Sequence, residues 1–421
     1  MHSHHHHRAD SDCTSLLSNQ LLLHVFSKLP ICDHLTTSLV CKRWLYLHGR
    51  LVPSLRLLEW QFLESGRLFA RFPHLTEFDI VRSCILVTPN PGGVLLSLSL
   101  GDKIDMLPPD RIDQGLQLIA QRYPKLRRIG VLGASECGLG SLAGTCQALQ
   151  ELELHCCGDL CLKGVSGFVN LQVVKLNSNS RDGCGSVVSD IGLTILAQGC
   201  KRLVKLQLCG CEGSYDGIKA IGQCCQMLEE LTLRDHRMDG GWLAALSFCG
   251  NLKTLRLESC KAIDSDPGPD EHLGVCPMLE ELHLERCQLR DRKSTKSLFL
   301  VCRRVRDIVL RNCWGFQDDL FALASLSRRV KLLYLEHCSL LTTQGLESVL
   351  VSWKDLERLT VVSCSKIKDS QVTPQLASLF SVLKELKWRP DTRSLLSSDL
   401  DGIGMWRQGG KFFTSSKGAR Y

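Results

Sequence analysis

The chain is poor in aromatic residues, at 6 %, which excludes a core of stacked rings and points to one filled by aliphatic side chains. Long apolar runs are missing as well. The densest, near residues 94–100, falls far short of the roughly 18 residues a membrane helix needs, and no charged-then-apolar leader opens the chain. A protein that neither spans a membrane nor is secreted is expected. Charge of one sign is also lacking: 51 Lys+Arg interleave with 44 Asp+Glu for a net +7, so nucleic-acid binding is not expected.

Signatures of chemistry are absent too. There is no P-loop, H-E-x-x-H or nucleophile elbow. His24, His155, His236, His283 and His337 are scattered along the chain and read as surface variation, and Gly138-Leu-Gly140 reads as loop. Neither catalysis nor a cofactor is expected. No paired C-x-x-C knuckle accompanies the 23 cysteines, which leaves zinc as the weaker competitor of a structural role for the thiols.

What the chain has is leucine, in a phrase that returns about every 26 residues, the spacing of a stacked solenoid. Leu-x-x-Leu-x-Leu-x-x-Cys or a close variant starts at 149, 171, 203, 228, 252, 279, 305, 330 and 356. Weaker copies stand at Leu75/Phe78/Ile80, Leu95/Leu98/Leu100, Leu126/Ile129/Val131 and Leu383/Leu386/Trp388. In each phrase apolar residues alternate with polar ones, as in a short strand with one buried face. A helical segment follows, with Asp190 placed to cap one such helix and Gly199 to end it.

The expected fold is therefore α/β: parallel strands lining a concave wall, helices outside, each inward Leu worth about 1.5 to 3 kcal/mol and sheltered only by its neighbours. Thirteen cysteines fall at two phases of the repeat, one at its last position and one three residues before its first Leu. They stack on one another as small buried groups, so reduced thiols and a nuclear or cytosolic home are expected. Segments 178–186, 264–270 and 291–297 break the rhythm and read as surface loops.

Residues 13–50 follow a different grammar. Leu22, Phe26 and Leu29 share one helical face, Pro30 stops that helix, and Leu35, Leu39 and Leu47 continue the apolar stripe. Such a short hairpin is too small to bury its own apolar surface and predicts a partner. Leu17, Leu22, Leu23, Phe26, Leu29, Leu39 and Val40-Cys41-Lys42-Arg43-Trp44 resemble an F-box, and their place ahead of Cys-type repeats resembles the plant F-box/leucine-rich-repeat proteins. An F-box usually opens Leu-Pro followed by an acidic residue; here Leu17-Ser18-Asn19 stands instead.

The resemblance implies a substrate-recognition subunit of a Skp-cullin-F-box ubiquitin ligase, itself non-catalytic. The hairpin would dock on a Skp-type adaptor and through it on cullin and RING subunits. By position, Leu17, Leu22, Leu23, Phe26, Leu29, Val40 and Trp44 are the implied adaptor contacts. A protein substrate would lie on the concave wall, where Arg234, Arg256, Glu258, His283, Glu285, Arg311, Tyr334 and Glu336 face outward. The rival readings are a binding scaffold with a decayed hairpin and a ligand-gated co-receptor. The organisation expected is a His-rich 1–12, the hairpin at 13–50, a helical connector at 51–74, repeats at 75–390 and a capping tail at 391–421.

Overall fold

The computed structural model describes residues 13–86, 106–178 and 187–390. The His-rich start, the Leu95/Leu98/Leu100 copy, most of the 178–186 segment and the tail from 391 lie outside the described residues. After a 3-10 turn at Cys13–Leu16, the described residues continue with three short helices, α1 (Asn19–Phe26), α2 (His34–Ser38) and α3 (Lys42–Gly49). Leu22, Phe26 and Leu47 form a small core with Leu23, Leu29, Trp44 and Leu51 packed around it. At Gly49 a Cβ would stand 2.1 Å from the carbonyl oxygen of Arg71, so glycine lets α3 press directly on the body that follows.

That body is built on parallel strands. They are β1 (Ser54–Arg56), β2 (Glu77–Asp79), β3 (Arg128–Leu132), β4 (Glu151–His155), β5 (Val173–Asn177), β6 (Lys205–Cys209), β7 (Glu212–Gly213), β8 (Glu230–Arg234), β9 (Arg237–Met238), β10 (Thr254–Glu258), β11 (Glu281–Glu285), β12 (Asp307–Arg311), β13 (Leu332–Glu336), β14 (Arg358–Val362) and β15 (Glu385–Arg389). Thirteen form one sheet in chain order, while β7 and β9 pair separately. Residues 51–74, expected as a purely helical connector, contain β1, which pairs with β2 through Leu55 and Phe78. The sheet thus opens immediately after the hairpin.

Register stacks like on like: Leu255 lies between Leu231 and Leu282, and Leu257 between Leu233 and Leu284. All six are sealed from solvent. Helices cover this face: α4 (Trp60–Glu64), α5 (Arg67–Arg71), α6 (Pro109–Arg122), α7 (Glu136–Thr145), α8 (Asp159–Val165), α9 (Asp190–Gly199), α10 (Tyr215–Cys224), α11 (Trp242–Ala245), α12 (Arg292–Val301), α13 (Asp318–Phe321), α14 (Thr343–Leu350) and α15 (Pro374–Val382). The opposite face stays open, its residues half-exposed at every second position.

Polar side chains tie one coil to the next. The Asp190 carboxylate does not cap its own helix α9, whose cap is Ser189. It accepts instead from the amide and hydroxyl of Ser214, at 2.8 and 2.6 Å, and from the Gly217 amide at 2.9 Å, so it secures the start of α10. Asp159 holds Ser189 and Asp318 holds Thr342 in the same way. Each link satisfies amides that a helix N-terminus leaves open.

Cysteine makes a second set of ties. In several coils the residue after the strand takes a left-handed turn, as at Ser259, Arg286, Asn312 and His337, with φ between 52° and 56°. This aims the following thiol inward. Cys287 then donates to the Leu257 carbonyl at 3.2 Å and Cys313 to that of Leu284 at 3.4 Å. At the other phase Cys276 donates to the Cys249 carbonyl, and Ser327 stands in for cysteine, its hydroxyl donating to Cys302. The ladder cysteines are free thiols, as expected of the two repeat phases; Cys156, which stands at neither phase, is disulfide-bonded.

Two of the expected loops also read differently in three dimensions. Residues 292–301 form α12, capped by Asp291, and bury Ser294, Thr295 and Ser297. Their polarity hid the helix. Asp264 opens a true loop but is itself buried, accepting from the Gly241 and Leu243 amides of the preceding coil.

Candidate functional site

Two surfaces remain after the core is accounted for, the hairpin and the open face of the sheet. Of the nineteen exposed large apolar residues among those described, eight fall between residues 16 and 46: Leu16, Leu17, Leu21, Val25, Leu35, Leu39, Val40 and Tyr46. Elsewhere they are scattered, as is normal for a surface. Leu35 and Leu39 are 71 % and 74 % exposed, a cost that a separate protein would relieve by covering them.

The sequence-derived contacts divide between this surface and the layer beneath it. Leu17 and Val40 are exposed; Leu23, Leu29 and Trp44 are half-buried; Leu22 and Phe26 lie within the hairpin core. Trp44 rests on Phe26 with ring centroids 4.8 Å apart, so it braces the core while showing its remaining surface. Sequence reasoning passed over Leu21 and Val25, although α1 is apolar on both sides, which itself signals a second covered face.

The departures at Ser18 and Asn19 have local functions. Ser18 caps α1, its hydroxyl accepting from the Leu21 amide at 3.3 Å. Asn19 Oδ1 accepts from Arg43 Nε at 2.9 Å, while the Arg43 guanidinium also donates to the carbonyls of Thr14 and Leu17. Arg43 therefore locks the entrance of the hairpin to α3.

The open face carries the predicted wall, and its charges are largely spent on one another. Arg234 donates to Glu258 through Nε at 2.8 Å, and Arg256 Nε reaches Glu230 at 3.1 Å. Arg311 lies 3.4 Å from Glu336 and covers the Tyr334 ring at 4.7 Å, and the Tyr334 hydroxyl donates to Glu336 at 3.0 Å. Glu285 has a looser partner, Arg286, at 3.6 Å. His283 hydrogen-bonds Glu281, and burial, aided by Arg256, pushes its pKa down.

Arg256, Glu258, His283, Glu285, Val309 and Arg311 ring a cavity of about 40 Å³. That is about the room of one water, too small for a phosphorylated cofactor. No group of three or more His, Cys, Asp or Glu fit to hold a metal occurs among the described residues. Among them, likewise, no helix is long and apolar enough to cross a membrane.

His236 is not surface variation. It occupies the phase where other coils place cysteine; its Nδ1 accepts from the Met238 amide at 3.3 Å and its Nε2 is buried without a partner. Its ring meets Trp242 edge-on at 5.6 Å. Burial lowers its pKa to about 4.

Residues 15–47 match the F-box domain family. The hairpin is an F-box. The chain is 23 % identical over 333 residues to the human F-box/LRR-repeat protein 12, a match covering 70 % of this chain and 95 % of that protein. It is 24 % identical over 204 residues to the bovine F-box/LRR-repeat protein 4, covering 47 % of this chain and 32 % of that one. A crystal structure of an internalin from Listeria monocytogenes aligns with 70 % of this chain and 87 % of that one at 13 % identity and a TM-score of 0.34. The F-box and the repeats are thus homologous to those of F-box/LRR-repeat proteins.

Proposed function

We infer that this chain is the substrate-recognition subunit of a Skp-cullin-F-box ubiquitin ligase, acting in the nucleus or cytosol. The F-box seats a Skp-type adaptor, which brings the cullin and RING subunits. The solenoid presents a protein substrate, and ubiquitin transfer belongs to the other subunits. The thiol ladder supports a place in the Cys-containing class of the plant proteins.

One observation carries this reading: apolar exposure is concentrated on the F-box, while the inward strand leucines of the repeats, such as Leu231, Leu255 and Leu282, are buried. A module that leaves such surface uncovered is built for a partner. The close seat of Gly49 on Arg71 supports a stiff junction, which would hold a substrate at a fixed distance from the adaptor. A scaffold with a decayed F-box is the rival. Ser18 as a cap and Asn19 as the Arg43 acceptor favour an intact module.

Reconstitution tests the reading. The purified chain, a Skp-type adaptor and a cullin–RING pair are run on a sizing column. Co-elution with the cullin only when adaptor is present is expected; elution apart from the adaptor would remove the ligase assignment.

A further inference from the structure

The solenoid carries one exposed aromatic that its fold does not explain. Trp314 stands one residue beyond ladder cysteine Cys313, where other coils place Gly158, Glu212, Lys261, Gln288, Ser339 and Ser365. It is 53 % exposed. Its backbone is nevertheless pinned on both sides: its amide donates to Cys287 O at 2.9 Å and its carbonyl accepts from Leu289 at 2.8 Å. A rigid backbone presenting an open indole loses little freedom on binding, the property of an interface anchor.

Around it lies an open cleft of about 480 Å³ that includes Arg290, Arg292, Gly315, Asp319 and Leu340. A Cβ at Gly315 would meet Arg290 Cγ at 2.6 Å, and Gly315 has φ +77°, so glycine makes the berth in which Arg290 lies. Arg292 is engaged by Asp319 at 3.7 Å. Arg290 has no acidic partner among the described residues, because neighbouring Asp291 is turned into the start of α12. The cleft therefore holds an apolar platform beside one surplus positive charge. It stands on the same coils as the small cavity of the open face, which Arg311 and Val309 of β12 help to line.

We propose that this rim cleft is a substrate-docking site for an extended protein segment carrying a bulky aliphatic residue next to a carboxylate. The aliphatic side chain lies on Trp314 and Leu340, and the carboxylate takes the Arg290 guanidinium, a charge-assisted contact. Asp319 in the same cleft disfavours a doubly charged phosphate. The proposal rests on the ligase reading and names the class of substrate for it.

Short fluorescein-labelled Gly/Ser peptides with a central Leu-Glu, Leu-Gln, Leu-Lys, Ala-Glu or Leu-phosphoserine pair are titrated by anisotropy against the full chain. Leu-Glu is expected to bind tightest, with Trp314→Ala or Arg290→Ala weakening it about tenfold and Arg290→Glu shifting the preference to Leu-Lys. No binding, a preference that survives both substitutions, or tighter binding of the phosphoserine peptide overturns the proposal. Capture of the Skp-type adaptor by the same variants is measured in parallel. Adaptor binding without peptide binding sinks the rim site alone, and peptide binding without adaptor binding sinks the ligase reading.

Discussion

Arg43 Nε donates to Asn19 Oδ1 at 2.9 Å across twenty-four residues, and this bond joins the first turn of α1 to α3. The bond is exposed to solvent, so it is expected to stabilise the F-box by about 0.5 to 1.5 kcal/mol, the range of a typical hydrogen bond. Asn19→Ala should speed amide exchange in α1 and α3, Asn19→Asp should preserve protection, and amides of β10 to β14 should be indifferent to both. Hydrogen-exchange mass spectrometry reads all three.

The coil-to-coil link of Asp190 to α10 predicts a specific coupling. A Cβ at Gly217 would stand 2.3 Å from Asp190 Oδ1, so Gly217→Ala must displace the carboxylate or the helix. The substitution should cost about 1 to 3 kcal/mol, as overpacking does. In the Asp190→Ala background it should cost less, because the closest contact is gone and only the flexible end of Leu193, whose Cδ1 would stand 2.8 Å away, must shift. Denaturant melts of the two single variants and the double variant check it.

Burial sets thiol reactivity. Cys200, Cys225, Cys249 and Cys313 have their thiol pKa pushed up by desolvation to about 12, so almost no thiolate exists at pH 8. Among the described cysteines, the exposed Cys32, Cys41 and Cys137 should react with iodoacetamide in the native protein, and those four ladder thiols only after unfolding. Peptide mapping distinguishes the two sets.

His236 should make stability depend on pH. Its pKa falls from 6.5 to about 4 on folding, so between those values the unfolded chain binds the extra proton. Its neutral form is fully compatible with the fold above pH 6.5, and stability is lost as pH falls from 6.5 towards 4, by about 3 kcal/mol at about 1.4 kcal/mol per pKa unit. His236→Cys, the residue other coils use, should flatten that part of the pH profile of thermal melting relative to the wild type.

Much of this was legible from periodicity. The strands around Leu231, Leu255, Leu282 and Leu333 follow from a two-residue alternation repeated at a fixed spacing, because a strand with one buried face admits no other pattern. β1 was not legible: a three-residue strand with one inward Leu55 leaves too little alternation to detect. The partner of Asp190 lies a whole coil ahead, where local capping rules do not look. His236 sits at a cysteine phase, so its burial was readable from position, and only its residue type pointed outward. Trp314 has no counterpart in other coils, and a singular residue carries no periodic signal.

The F-box followed the opposite logic. Its resemblance named Leu22 and Phe26 among the adaptor contacts, and packing places both in the core, whereas Leu17 and Val40 reach solvent. A sequence pattern registers that an apolar residue is required without saying which of two adjoining surfaces requires it.

The most direct test of the account is the affinity of the Skp-type adaptor for a Leu39→Glu/Val40→Glu variant, set beside a Leu160→Glu/Val382→Glu variant that alters equally exposed leucine and valine outside the F-box. Both should melt like the wild type. The account predicts that the first pair weakens adaptor binding by at least about tenfold, as loss of an interface anchor does, while the second leaves it unchanged. Equal affinities for both variants and the wild type would contradict it.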